Sequence, residues 1–74
     1  MGIEKYKNKR VIIELKNPVK EDKYRGTITE IDTSPKYWSW VTLKQLFFDK
    51  QQQRYVEKYQ TFSDSEIKRV EVLE

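Results

Sequence analysis

The chain has 74 residues, with 15 Lys and Arg against 12 Asp and Glu for a net charge of +3, and it contains neither Cys nor His. These absences remove the disulfide frame, the thiolate metal site, the usual general base and the commonest transition-metal ligand. One domain over 1–74 is all the length supports, and a domain this small buries only about 60% of the surface its unfolded chain exposes, so self-association would help to stabilise it.

Residues 2–9 place Ile3 and Tyr6 three positions apart, which predicts a short N-terminal helix with one apolar side, lying across an open end of the sheet that follows. From residue 10 onward the pattern is that of strands. In 10–16, RVIIELK, Val11, Ile13 and Leu15 alternate with Ile12, Glu14 and Lys16, the mark of a half-buried strand. Asn17 and Pro18 end it, and Lys20, Glu21, Asp22 and Lys23 form a polar loop. A second strand is read over 24–32, YRGTITEID; its Gly26 marks a bend, a bulge or the close approach of another backbone. Pro35 then fixes a turn over 33–36.

Residues 37–48, YWSWVTLKQLFF, hold five of the ten aromatic residues and read as one long third strand. Both of its faces are apolar. With little chain available to cover two faces, one is expected to build the core and the other to meet a partner. A tight hairpin is expected over 49–53, a fourth strand over 54–62, and a turn at 63–65. In 67–73 the three-residue step from Ile67 to Val70 breaks the period of two and predicts a 3₁₀ turn before a last strand with Val70 and Val72. The sum is an all-β domain: an N-terminal helix over 1–9, then a small, strongly bent, five-stranded antiparallel SH3-like barrel over 10–74.

Several of these residues resemble a known family. The succession of a helix, VIIELK, and YRGTITEID with a Gly opening the strand and an Asp closing it is similar to the first motif of the Sm and Sm-like (LSm) proteins, including archaeal members and more distantly Hfq. The tail FSDSEIKRVEVL resembles their second motif. The resemblance covers nearly the whole chain and implies the Sm-like form of the barrel, RNA binding, and a homo-oligomeric ring closed by pairing the fourth strand of one subunit with the fifth of the next. Three departures accompany it. No Asn follows Asp32; Ser63-Asp64 stands where the family has Arg-Gly; and the third loop is about two residues longer, which makes Tyr37 the candidate for the base-stacking position.

Single-stranded nucleic acid is held by aromatic platforms set among cations. By that chemistry the candidate nucleic-acid residues are Lys36, Tyr37, Trp38 and Lys44, to which the resemblance adds Asp32, the Asp of the first motif, with Lys5, Lys7, Lys9 and Arg10 as candidate phosphate contacts. The same lysines also fit a merely solvated surface, and the aromatic residues fit a core or an interface. Trp40, Tyr55, Tyr59, Val70 and Val72 are the candidates for an oligomer interface. The leading expectation is a non-catalytic, Sm-like RNA-binding protein; the alternative is a protein-interaction or assembly module that has lost uridine-rich RNA binding.

Catalysis is not expected. Ser34, Ser39, Ser63 and Ser65 have no His to activate them, and Asp32 and Asp64 read as turn residues that flank bends. Two glycines provide neither a phosphate-binding nor a calcium loop, so no cofactor, metal or small-molecule substrate is expected. No apolar run approaches the roughly 20 residues that span a bilayer, and the Lys-rich start lacks a signal-peptide core; no membrane partner and a cytoplasmic location are expected.

Overall fold

A computed structural model describes residues 2–17 and 22–73; the loop expected at Pro18, Lys20 and Glu21 lies outside them. Five antiparallel strands form one sheet: β1 Arg10–Leu15, β2 Lys23–Asp32, β3 Trp40–Asp49, β4 Arg54–Ser63 and β5 Ile67–Val72. Their spatial order is β4-β3-β2-β1-β5, so the chain is all-β and antiparallel, as the alternating patterns predict. Among the described residues β4 and β5 do not pair, and the sheet is open at both edges. No helix among them is long and apolar enough to cross a membrane.

The core lies on the inner face of this curved sheet. Val11 and Ile13 of β1, Ile28 of β2, and Val41 and Leu43 of β3 are 0% exposed, and Phe62 of β4 covers them at 7%. Each full burial of such a side chain stabilises the fold by roughly 1.5–3 kcal/mol. Tyr24 meets Phe62 with ring centroids 5.0 Å apart, and Ile3, Tyr6, Leu15, Ile31, Ile67 and Val70 pack around the rim. Period-two alternation sends the intervening residues outward: Arg10, Ile12, Arg25, Thr27, Trp40, Thr42 and Lys44 lie on the outer face.

Three sequence expectations are corrected. The N-terminal helix over 1–9 is a single 3₁₀ turn, Ile3–Tyr6, because no side chain caps its start and Asn8, at φ 67°, turns the chain back into the sheet. There the Asn8 N–H donates to the Ile28 carbonyl and the Ile28 N–H to that of Lys9. The third strand starts at Trp40 rather than residue 37, since 35–37 is a bend that begins at Pro35 and 38–39 is irregular. The 3₁₀ turn expected within 67–70 is instead Asp64–Glu66, ahead of β5. The three-residue step from Ile67 to Val70 is a β-bulge: Glu14 pairs Arg69 while Leu15 pairs Ile67, which leaves Lys68 as the extra residue. Lys68 and Arg69 both reach Glu14, at 3.8 and 3.4 Å.

β3 pairs with β4 along its whole length but with β2 only from Trp40 to Lys44. The last five residues of β3 and the first five of β4 therefore leave the sheet as a two-stranded ribbon, roughly 17 Å long at 3.3 Å per residue. Isolated ribbons are marginally stable. This one is held by its turn, where the Asp49 carboxylate accepts from the N–H groups of Gln51 and Gln52 at 2.9 and 3.3 Å, and by an edge-on Phe48–Tyr55 pair with centroids 5.2 Å apart. The expected glutamine hairpin is thus present. The ribbon lengthens the chain to extents of 43 × 25 × 24 Å and a radius of gyration of 13.0 Å, against about 11.3 Å for a rounded chain of this length.

Candidate nucleic-acid interface

The β2–β3 loop is locked to the turn that precedes β5. Asp64 N–H donates to the Ser39 carbonyl at 2.9 Å, and Ser39 N–H donates to Asp64 Oδ1 at 3.1 Å. Beneath this reciprocal pair, Asp32, Trp40 and Ser63 form one row across β2, β3 and β4. Ser63 also closes the turn: its hydroxyl accepts from Ser65 N–H at 3.3 Å, and its own N–H donates to Glu66 Oε1 at 3.2 Å. The buried Ser63 and half-buried Asp64 thus perform a local structural task.

Around this lock the aromatic residues cluster. Trp38 and Trp40 meet edge to face, with centroids 6.1 Å apart and planes at 90°, and each stays 40% exposed. Tyr37 is 80% exposed, and Lys36 Nζ lies 5.4 Å from its ring centroid, a cation–π contact. Asp32 accepts from Ser34 N–H at 2.9 Å. The hydrogen bonds from the Ser34 backbone and then its side chain hold the Asp32 carboxyl below the ordinary carboxylate value of 3.8. The structure therefore brings Asp32, Lys36, Tyr37, Trp38 and Trp40 together with Asp64, as three exposed rings with charges of both signs.

Lys44 is not among them. It lies four residues along β3 from Trp40, about 13 Å at 3.3 Å per residue, in a row with Arg10, Thr27 and Tyr59. Lys5, Lys7 and Lys9 are exposed on the N-terminal segment, with Lys5 Nζ 5.2 Å from the Tyr6 ring. Of the candidate interface residues, Trp40, Tyr55 and Tyr59 line the outer face of the β3–β4 pair, Val72 is exposed on β5, and Val70 packs on the core. Tyr59 donates its hydroxyl to Glu57 at 3.1 Å, and this bond, with the carboxylate charge, raises its phenol above the ordinary value of 10.0.

Sequence reasoning noticed the surplus of apolar side chains on the third strand but left three of them out of the interface set. Leu46, Phe47 and Phe48 are 59%, 44% and 49% exposed on the ribbon. The signal was present in the equal greasiness of the two faces. Comparison of the chain with protein-family models, with curated proteins and with solved structures finds no match in any of the three.

Proposed function

We propose that the chain is an Sm-like RNA-binding subunit that closes its barrel in company, the free edge of β4 in one copy pairing with β5 in the next to form a ring or other homo-oligomer. The observation that carries this reading is the open order β4-β3-β2-β1-β5, which leaves an edge of ten residues and one of six at opposite ends of a single sheet. Exposed edges template pairing with another chain, and a head-to-tail contact between unlike edges repeats until it closes.

Surface area supports the same reading. The subunit exposes 5809 Å², whereas a compact monomer of 9.1 kDa exposes about 4,900 Å². The excess, about 900 Å², is close to the roughly 800 Å² that one partner contributes to a standard interface. In such an assembly the loop cluster Lys36, Tyr37, Trp38 and Trp40 would bind single-stranded RNA, each stacked base contributing roughly 1–3 kcal/mol. The test is the pair of substitutions Tyr37→Ala and Trp38→Ala in the folded protein. They should abolish binding of an oligouridylate whose affinity in the parent falls steeply with salt; unchanged affinity rejects the platform.

One observation favours a second reading, an assembly module without uridine-rich RNA binding. Asp64 and Asp32 flank the tryptophans, and Ser63 followed by Asp64 stands where the Sm resemblance would require Arg-Gly, so the cation is missing and an acid lies beside its place. On that reading the same rings bury against protein, and binding to the exposed rings is insensitive to salt.

A further inference from the structure

Three cationic side chains converge where sequence distance hides them. On the outer face, Arg10, Thr27 and Lys44 are direct partners across β1, β2 and β3. One strand spacing, about 4.8 Å, separates each from the next, and Arg25 lies two residues from Thr27, about 7 Å along β2. Together they line a cleft of about 280 Å³ with Gly26, Thr27, Leu46 and Leu73, and among the described residues no acidic side chain lines it.

We propose that this cleft binds a phosphate group of single-stranded nucleic acid, as a site separate from the loop cluster. Like charges on adjacent strands destabilise a sheet, so Arg25 and Lys44, on neighbouring strands around one concavity, gain most from an anion placed between them. No carboxylate of the described residues pairs with Arg25, whose forked guanidinium matches phosphate oxygens. Lys44 has Glu57 at 3.9 Å, an exposed pair that a phosphate can displace. The surroundings select nucleic acid over a bare ion. Tyr59, 58% exposed, continues the row of Arg10, Thr27 and Lys44 on β4, and Leu46 adds an apolar wall, so one exposed ring stands beside the cations, where a base next to a bound phosphate would stack. The row between this cleft and Trp40 contains Glu30, Thr42 and Thr61; its carboxylate separates the two sites.

The test uses the full chain, amide NMR spectra, inorganic phosphate and a short fluorescein-labelled oligouridylate. Phosphate, but not chloride at equal ionic strength, should shift the amides of Arg25, Gly26, Thr27 and Lys44, and Arg25→Gln and Lys44→Gln should each suppress the shifts. Arg25→Gln should also lower the slope of log affinity for the oligouridylate against log salt by about 0.7. If phosphate leaves those amides where chloride leaves them, the cleft is not an anion site, whatever the loop cluster does. If phosphate binds but the oligouridylate slope is unchanged in both variants, the site takes free phosphate and the nucleic-acid assignment is overturned. Tyr37→Ala with Trp38→Ala should leave the phosphate shifts intact, which separates failure of the loop platform from failure of the cleft.

Discussion

Replacing Gly26 by Ala asks whether the fold needs a glycine at that position for space. No glycine among the described residues has a positive φ, so backbone conformation does not demand Gly there. On that ground alone Ala would stabilise the protein by about 0.4–1 kcal/mol, by restricting the unfolded chain. The structure predicts the opposite sign. A Cβ at Gly26 would lie 2.3 Å from the Lys44 carbonyl oxygen and 3.0 Å from Leu43 Cγ, whereas ordinary contact begins at 3.4 Å. The main obstacle is backbone, so β3 must retreat by about 1.1 Å, the difference between 3.4 and 2.3 Å, at the place where Thr27 pairs Lys44. Overpacking usually costs 1–3 kcal/mol, and a backbone obstacle puts this case at about 3 kcal/mol. For a domain of this size that lowers Tm by roughly 12–24 °C. Gly2→Ala serves as the control, since its Cβ would meet only the flexible Glu4 carboxylate at 2.9 Å and should leave Tm nearly unchanged. Thermal melts followed by circular dichroism decide the matter. A Gly26→Ala protein as stable as the parent, or more so, would refute the close approach of β2 and β3.

Other outcomes follow from the same geometry. Gln53 closes the ribbon turn at φ 56°, so Gln53→Gly should raise stability by about 1 kcal/mol, seen as a higher Tm. Asp64→Ala deletes the acceptor for Ser39 N–H and should cost about 1.5 kcal/mol by urea denaturation, with a change in tryptophan fluorescence as the loop loosens. Glu57→Gln should bring the Tyr59 phenol back down toward its ordinary value, measured by ultraviolet titration; an unmoved titration removes the Tyr59–Glu57 bond from the account. Asp32 is held below 3.8 in the fold, so its contribution to stability is complete above that value and disappears as pH falls through the lowered one. Asp32→Asn should accordingly flatten the acid side of the stability curve.

The strands were legible because alternation survives wherever one face is buried: Val11 and Ile13 stand out against Glu14 and Lys16, whereas both faces of the third strand are apolar and spacing did not choose Val41 and Leu43 for the core. The start of β3 was not legible, since Tyr37 and Trp38 have strand-forming side chains while the bend that begins at Pro35 holds Tyr37 and leaves Trp38 outside the strand. The bulge at Lys68 looked like a 3₁₀ turn because both shift the apolar period by one residue, and only the partner strand distinguishes them. The candidate site was half visible. Tyr37, Trp38 and Trp40 announce themselves by density of aromatic residues, but Lys44 belongs with Arg10 and Arg25 through strand register, which no local spacing encodes.

If one copy is an incomplete barrel, as we propose, the mass of the native particle tests it most directly. Sedimentation of the parent protein at several salt concentrations should give a multiple of 9.1 kDa that persists as salt rises, because the contact rests on backbone pairing and apolar burial. Tyr55→Lys and Val72→Lys, which place charge on β4 and β5, should shift the protein toward monomer while its circular dichroism remains that of a sheet. A parent that sediments as a folded monomer at every concentration and salt would contradict the claim.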